Sequence, residues 1–134
     1  MGSFKLEILT PYGHYFNGDV DYLSLRNKDG VLGILPRHTP LITTVELCNL
    51  TLIINGKRRI YAISKGLLNV KGNNEVSLMV NTIERSDEID VERAKRALER
   101  AKKRLEHHDD KINVKRAEAA IKRAENRINA AKDK

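Results

Sequence analysis

Residues 49–63 read NLTLIINGKRRIYAI, and this stretch carries the clearest structural pattern in the chain. Two runs rich in apolar and β-branched residues flank the dipeptide Asn55-Gly56. Asparagine and glycine both tolerate positive φ, so this dipeptide suits the two-residue turn of a β-hairpin. The stretch therefore predicts two antiparallel strands, Asn49 to Ile54 and Lys57 to Ile63.

Similar patterns on both sides of the hairpin predict further strands. Phe4 to Ile8 alternates apolar and polar residues, which is the two-residue period of a half-buried strand. The other strand candidates are Val20 to Leu25, Leu41 to Leu47, Leu67 to Val70 and Glu75 to Thr82. Many short strands at close spacing predict an antiparallel β-sandwich or a barrel.

The composition of the 134-residue chain changes between residues 82 and 86. Seven of the eight glycines and all three prolines lie before residue 67, and neither type occurs after Gly72. Residues 1–83 hold 15 charged side chains, whereas residues 84–134 hold 28. We therefore expect a β-rich domain over residues 1–84 and a different structure over residues 85–134.

The second part has the 3.6-residue period of helices and predicts an antiparallel hairpin, giving an α+β fold overall. We expect helices at about 90–105 and 113–130, joined by a polar turn at 106–111, with Asp90 and Asn113 as N-caps. The apolar stripes comprise Ala94, Ala97 or Leu98, Ala101 and Leu105, followed by Val114, Ala117, Ile121, Ala124 and Ile128. Alanine buries little area, so this hairpin would open at modest cost. A short, stable coiled-coil tail is the alternative.

Arginines recur at positions i, i+7 and i+11 in each predicted helix. They are Arg93, Arg100 and Arg104 in the first helix and Arg116, Arg123 and Arg127 in the second. At about 100° per residue, each set stays within roughly 40° on the helix surface. Folding the helices together would bring both sets to one seam, where a polyphosphate could bind to the guanidinium groups. A solvated charged face is the simpler interpretation.

Several function classes receive little support. The net charge of +7 invites a nucleic-acid interpretation, but residues 84–134 contain no aromatic residue for base stacking. A self-associating coiled-coil adaptor is a further alternative. No window approaches the roughly 20 apolar residues of a membrane helix, and Cys48 has no partner for a disulfide. Phosphate-loop, GxSxG and HExxH motifs are missing, so we do not expect an enzyme. The adjacent residues His107 to Asp110 suit a polar loop better than a metal site.

Residues 29–41, DGVLGILPRHTPL, combine a strand with a loop that Pro36 and Pro40 stiffen. Such a loop could present Arg37 and His38 to a partner, or it could be an ordinary connection. The segment resembles the G-x-L-G-I-L-P-x-H-x-P-L signature of the epsilon subunit of bacterial F-type ATP synthases. Residues 63–70, ISKGLLNV, resemble the S-G-G-F-x-x-V strand of that family, with Lys65 at the first glycine position.

This resemblance, which covers nearly the whole chain, implies a ten-stranded β-sandwich and a helical hairpin in a non-catalytic subunit of the rotor stalk. The sandwich would dock on the gamma subunit and the c-ring, with Arg37 and His38 as candidate contacts. The helices would extend toward the alpha and beta subunits and inhibit ATP hydrolysis. The expected location is peripheral, at the cytoplasmic face of the bacterial cell membrane. Membrane contact would occur only through the complex, and no nucleic acid would be bound.

A second motif concerns a regulatory ligand. Some bacillus-type family members bind ATP in the folded hairpin through the motif I/L-D-x-x-R-A, which residues 89–94, IDVERA, match in full. The resemblance implies ATP as a regulatory ligand without obligatory Mg²⁺, and no required cofactor. The implied site residues are Glu84, Ile89, Asp90, Arg93, Ala94, Arg100, Arg123 and Arg127. Falling ATP would then release the helices.

Overall fold

Ten β-strands come first along the chain, and two α-helices follow them. The computed structural model describes residues 2–106 and 111–132. The strands are β1 Phe4–Thr10, β2 Gly13–Val20, β3 Tyr22–Asn27, β4 Gly30–Ile34, β5 Leu41–Val45, β6 Cys48–Ile54, β7 Lys57–Ile63, β8 Gly66–Val70, β9 Glu75–Val80 and β10 Ile83–Arg85. A 3₁₀ turn, Ser86–Glu88, leads to the helices α1 Val91–Glu106 and α2 Lys111–Lys132. The predicted class, a β-sandwich followed by a helical hairpin, is confirmed.

Two five-stranded sheets form the sandwich. One has the order β2-β1-β9-β8-β5 and the other the order β10-β7-β6-β3-β4. Each sheet ends in edge strands, so the fold is a sandwich and not a closed barrel. The predicted hairpin is β6 and β7, whose turn residues Asn55 and Gly56 have φ values of 52° and 76°. Strand pairs are antiparallel throughout the described residues apart from β1 and β9, which run parallel.

The core lies between the two sheets, and strands such as β1, β3 and β6 contribute alternate residues to it. In β1, for example, Phe4, Leu6 and Ile8 are at most 2% exposed. Leu23, Leu50, Leu52, Leu68 and Leu78 are fully buried in the same cluster. Burying one such side chain contributes about 1.5–3 kcal/mol relative to leaving it exposed. Aliphatic residues therefore build this core without any tryptophan.

The two strands β2 and β10 were not predicted from the residue pattern. Residues 13–20 read GHYFNGDV and form an edge strand that is exposed over much of its length, so they lack apolar alternation. Strand β10 has only three residues, which is too short to show a period. Strand β9 ends at Val80, two residues earlier than expected.

The helix starts agree with the sequence in one case and differ in the other. Asp90 caps α1, because its Oδ1 accepts the Arg93 N–H at 3.0 Å and its carbonyl accepts the Ala94 N–H at 3.0 Å. Helix α2 begins at Lys111, so Asn113 lies inside the helix and its predicted capping role is wrong. The predicted turn residues 107–110 lie outside the described residues. Within the described part of the chain, neither helix is both long and apolar enough to cross a membrane.

Candidate functional site

Small side chains line the contact between the two helices. Its fully covered members are four alanines, each at most 5% exposed: Ala94, Ala101, Ala117 and Ala124. The larger members of the predicted stripes are half-buried: Leu98, Leu105, Val114, Ile121 and Ile128. The predicted stripes are thus confirmed. Because alanine removes less apolar area from water than leucine does, each position stabilises the hairpin only slightly.

Two polar contacts attach α2 to the sandwich. The Asn126 side chain donates from Nδ2 to the carbonyl oxygen of Cys48 at 3.0 Å. Arg127 donates from Nε and Nη2 to the two carboxylate oxygens of Glu84, at 2.8 and 3.1 Å. A fork of this kind fixes direction as well as distance, because both hydrogen bonds need the guanidinium and carboxylate planes to align. These contacts hold the C-terminal third of α2 against β6 and β10.

An apolar contact attaches the end of α2 to the same sheet. Its buried members are Ile60 and Ala62 of β7, Ile89 before α1, and Ala130 and Ala131 of α2. Ala130 is fully covered, and Ile89 is 5% exposed. We call this group the α2–β7 cluster. Ile89, which the sequence analysis predicts as a nucleotide-site residue, packs between helix and sheet in this structure.

A cavity of about 250 Å³ lies where α2 crosses the sheet edge. Its walls are polar on the helix side and mostly apolar on the strand side, where Thr82 and Glu84 are the polar members: Leu47, Ala62, Ile63, Thr82, Ile83, Glu84, Arg123, Asn126 and Arg127. Three predicted nucleotide residues, Glu84, Arg123 and Arg127, therefore meet at one place. The volume is below the roughly 300–1,000 Å³ of typical ligand pockets.

The other predicted nucleotide residues lie outside this cavity, around the start and middle of α1. Asp90 and Arg93 are exposed at the first turn, whereas Ala94 is buried in the seam between the helices. Arg100 follows two turns later and is exposed. In the described parts of the chain, no ion pair joins Arg93, Arg100 or Arg123 to another residue. Of these three exposed arginines, Arg123 lines the cavity, whereas Arg93 and Arg100 lie on α1 outside it.

The predicted docking loop joins β4 to β5. Arg37 is exposed and adopts a left-handed conformation with a φ of 62°, whereas His38 is half-buried. The His38 ring Nδ1 lies 2.7 Å from the carbonyl oxygen of Thr39, which requires a proton on that nitrogen. Leu35 is 59% exposed at the start of the loop. The loop therefore presents one cationic and one apolar side chain to solvent.

Two side chains near the attachment of α2, Tyr15 and Cys48, have raised pKa values. Burial raises the pKa of the Tyr15 phenol, and the negative charge of Glu88 adds to this effect. The Tyr15 ring meets the buried Tyr61 ring edge-to-face at a centroid distance of 6.2 Å. Burial also raises the pKa of the Cys48 thiol, which disfavours the reactive thiolate. Within residues 2–106 and 111–132, no group of three His, Cys, Asp or Glu side chains could hold a metal ion.

Comparison with known families shows to which protein family the chain belongs. The model of the ATP synthase delta/epsilon chain β-sandwich domain matches residues 3–86, and the model of the long α-helix domain of the same chain matches residues 87–132. The chain belongs to the ATP synthase delta/epsilon chain family. The relationship predicted from residues 29–41 is thereby confirmed.

Individual members of the delta/epsilon family support this assignment. The ATP synthase epsilon chain of Carboxydothermus hydrogenoformans is 47% identical over 103 residues, covering 77% of this chain and 76% of that one. The epsilon chain of Desulforamulus reducens is 42% identical over 101 residues, covering 75% and 76%. A chain in the Euglena gracilis mitochondrial ATP synthase structure (OSCP, F1 and c-ring) has a TM-score of 0.85 at 22% identity, covering 93% of this chain and 79% of that chain. This last similarity concerns the fold alone.

The Glu84–Arg127 contact in this delta/epsilon chain has a measurable energy. Both side chains are about one-third exposed, at 33% and 31%, so solvent screens part of their attraction. We expect a coupling energy of about 1 kcal/mol from a double-mutant cycle of Glu84→Gln and Arg127→Gln, followed by the helical signal on thermal unfolding. The more exposed Arg85–Asp87 pair is the control and should give less than about 0.5 kcal/mol. Equal coupling in the two cycles would contradict a specific attachment of α2.

Proposed function

We propose that this chain is the non-catalytic rotor subunit of an F-type ATP synthase that connects the gamma subunit to the c-ring. The observation that carries the proposal is the match of both domains to the delta/epsilon family over residues 3–132. The similar chain from Euglena gracilis comes from a structure that includes F1 and the c-ring. A second similar fold, with a TM-score of 0.69, belongs to the central stalk and c-ring of the Tetrahymena thermophila enzyme. We place the subunit peripherally at the cytoplasmic face of a bacterial membrane.

In this proposal the sandwich is the docking domain. The loop between β4 and β5 contacts the gamma subunit or the c-ring through Arg37 and His38. An exposed cation and an exposed Leu35 in one short loop offer both charge and apolar area to a partner. Rotor coupling requires a rigid connection, and the closely packed core between the two sheets provides one.

The helical hairpin is the regulatory element. We propose that it inhibits ATP hydrolysis when it leaves the sandwich and extends toward the alpha and beta subunits. The thin alanine seam and the small α2–β7 cluster support this, because their separation exposes little apolar area. The exposed arginines of both helices would then face an acidic subunit surface.

ATP is the proposed signal that keeps the hairpin folded. Its phosphates would bind Arg93, Arg100 and Arg123, and its base or ribose would approach Glu84 or Asp90. The residues present fit such a ligand, since apolar walls and guanidinium groups border one cavity. Arg127 would contribute through its contact with Glu84, whose carboxylate retains acceptor capacity beyond the two bonds to Arg127. ATP at a hundredfold excess over its Kd stabilises the folded hairpin by about 2.7 kcal/mol.

A single charge placed in the α2–β7 cluster tests the regulatory part. Ala130→Asp buries a carboxylate at a fully covered position, which costs about 2 kcal/mol or more and favours the extended helices roughly thirtyfold. Asn129→Asp adds the same charge at the neighbouring exposed position and serves as the control. We expect the first variant, reconstituted with its gamma subunit, c-ring and F1, to inhibit ATP hydrolysis more than the native chain at the same ATP concentration.

The two parts of the proposal fail in different ways. A chain that does not bind the gamma and c subunits contradicts the rotor assignment. A chain that binds them but leaves hydrolysis unchanged, in native form and as Ala130→Asp, contradicts the inhibitory role alone.

A further inference from the structure

The loop between β4 and β5 forms a hydrogen bond to a different turn of the sandwich. The Arg37 backbone N–H donates to Oδ1 of Asn74 at 2.8 Å, across 37 residues of sequence. Asn74 belongs to the turn between β8 and β9, whose ends are joined by a bond from the Lys71 N–H to the Glu75 carbonyl at 2.8 Å. The loop is thus attached to a closed turn rather than to its own strands.

Asn74 is itself held on two further sides. Its Nδ2 donates to the Ser3 carbonyl at 2.8 Å, and its own carbonyl accepts the Lys5 N–H at 3.1 Å. It adopts a left-handed conformation with a φ of 63°, which asparagine tolerates better than most residues. One amide side chain therefore joins the chain start, the β8–β9 turn and the loop that carries Arg37.

The loop needs such an attachment, because Arg37 is also left-handed, with a φ of 62°. A non-glycine residue keeps that conformation only when its surroundings determine it. Pro40 of the loop also lies beside this turn, since a Cβ placed on Gly72 would be 3.5 Å from its Cγ. Among the described residues, the Asn74 side chain is the group that accepts the hydrogen bond of the Arg37 backbone N–H.

We propose that Asn74 is a positioning residue for subunit docking: it holds the backbone of Arg37 so that the loop enters the complex in one conformation. This inference rests on the proposed docking role of Arg37 and His38. Asn74 does not need to touch the partner itself, because its effect passes through the Arg37 N–H.

Two substitutions separate this role from a general role in the turn. Asn74→Gly keeps the left-handed backbone without strain but removes both side-chain hydrogen bonds. Asn74→Asp keeps the acceptor for the Arg37 N–H, but it replaces the donor to the Ser3 carbonyl by a negatively charged acceptor and so removes the attachment to Ser3. Asn73→Gly, at the neighbouring exposed position, is the matched control.

The first readout is amide hydrogen exchange at Arg37 in the full chain. We expect Asn74→Gly to speed exchange about three- to tenfold, while Asn74→Asp and Asn73→Gly leave it close to native. The second readout is affinity for the complex of the gamma subunit and c-ring. Here too Asn74→Gly should weaken binding about three- to tenfold, with Asn74→Asp restoring it.

Each outcome has one meaning. Weak binding by both Gly and Asp variants, with equal losses of thermal stability, overturns the positioning role and leaves a structural one. Native binding by Asn74→Gly overturns it as well, provided that Arg37→Ala combined with His38→Ala weakens binding. If that double variant binds like the native chain, the docking role of the loop itself fails, whereas the exchange measurement at Arg37 still reports on the Asn74 attachment.

Discussion

Replacing Arg100 by alanine lowers the affinity of the isolated chain for ATP about tenfold to a hundredfold. The proposed site uses Arg100 as a phosphate ligand, and a hydrogen bond to a charged group contributes about 1.5–3 kcal/mol. Arg100 is exposed on α1, next to the buried seam residue Ala101. Its removal therefore leaves no cavity and no buried unpaired group, so the change in affinity reports on ligand contact rather than on folding. Isothermal titration with ATP measures it.

The control for this experiment is Lys102→Ala. Lys102 is exposed on the same helix, but two residues turn the helix by about 200°, so it faces away from Arg100. Both variants lose one positive charge, and any long-range electrostatic effect is therefore common to them. Equal affinity of Arg100→Ala and Lys102→Ala would contradict the assignment of Arg100, even if both bind ATP more weakly than the native chain.

The local part of the candidate site could be predicted from the sequence. Asp90 precedes a helical period, and its carboxylate caps α1 as expected. The alanine stripes follow from spacings of three and four residues, and Ala94 and Ala124 are buried accordingly. Such features depend on residues close in sequence, where helix geometry alone decides which side chains share a face.

The tertiary part could not be predicted in the same way. Glu84 and Arg127 are both implied as nucleotide-site residues by the resemblance, but their direct contact across 43 residues of sequence appears only in the structure. The attachment of α2 to the sandwich also depends on Asn126, for which the residue pattern offers no signal. Ala131 continues the spacing of Ala124 and Ile128 and could have extended the stripe, but its contact with β7 depends on how the hairpin lies on the sheet.

In the sandwich, too, local features could be predicted from the sequence, whereas contacts between distant residues could not. The hairpin of β6 and β7 was predictable because its turn and its strands lie together in sequence. Strand β2 was missed because an edge strand that solvent reaches needs no apolar alternation. The parallel pairing of β1 with β9 joins Lys5 to Glu75 and has no local signature at all. Alternation identifies strands that bury one face, whereas strand order is decided by contacts distant in sequence.

Contacts between residues distant in sequence join the two sheets firmly to each other, but they join the hairpin to the sheets more weakly. The sheets share a continuous core of fully buried aliphatic side chains. In the described residues, the hairpin is joined to them by the side-chain hydrogen bond of Asn126, the Glu84–Arg127 ion pair and the α2–β7 cluster. Since opening free energies differ between parts of a protein according to their buried contacts, we expect the hairpin to open well before the sandwich unfolds. The regulatory role proposed for the hairpin requires this difference.

A substitution in the core tests whether the sandwich is the more stable part of the chain. Leu78→Ala has the largest expected effect on stability. Leu78 lies in β9, between Ile8 of β1 and Leu68 of β8, and all three side chains are 0% exposed. Removing its isobutyl group loses burial and leaves a cavity, which costs about 2–5 kcal/mol. We expect the thermal midpoint of the sandwich to fall by roughly 10 °C.

Met79→Ala is the matched control, because Met79 follows Leu78 in the same strand but is 40% exposed on the opposite face. Its removal should cost less than about 1 kcal/mol, since solvent already reaches the side chain.

Thermal unfolding of each variant should be followed at the strand signal and the helix signal separately. Leu78→Ala should lower the midpoint of the strand signal, and the helix signal should still change first, because the hairpin attachment is the weaker one. Equal losses in the two variants would contradict the assignment of the core face, and a strand signal that changes before the helix signal would contradict the two degrees of attachment.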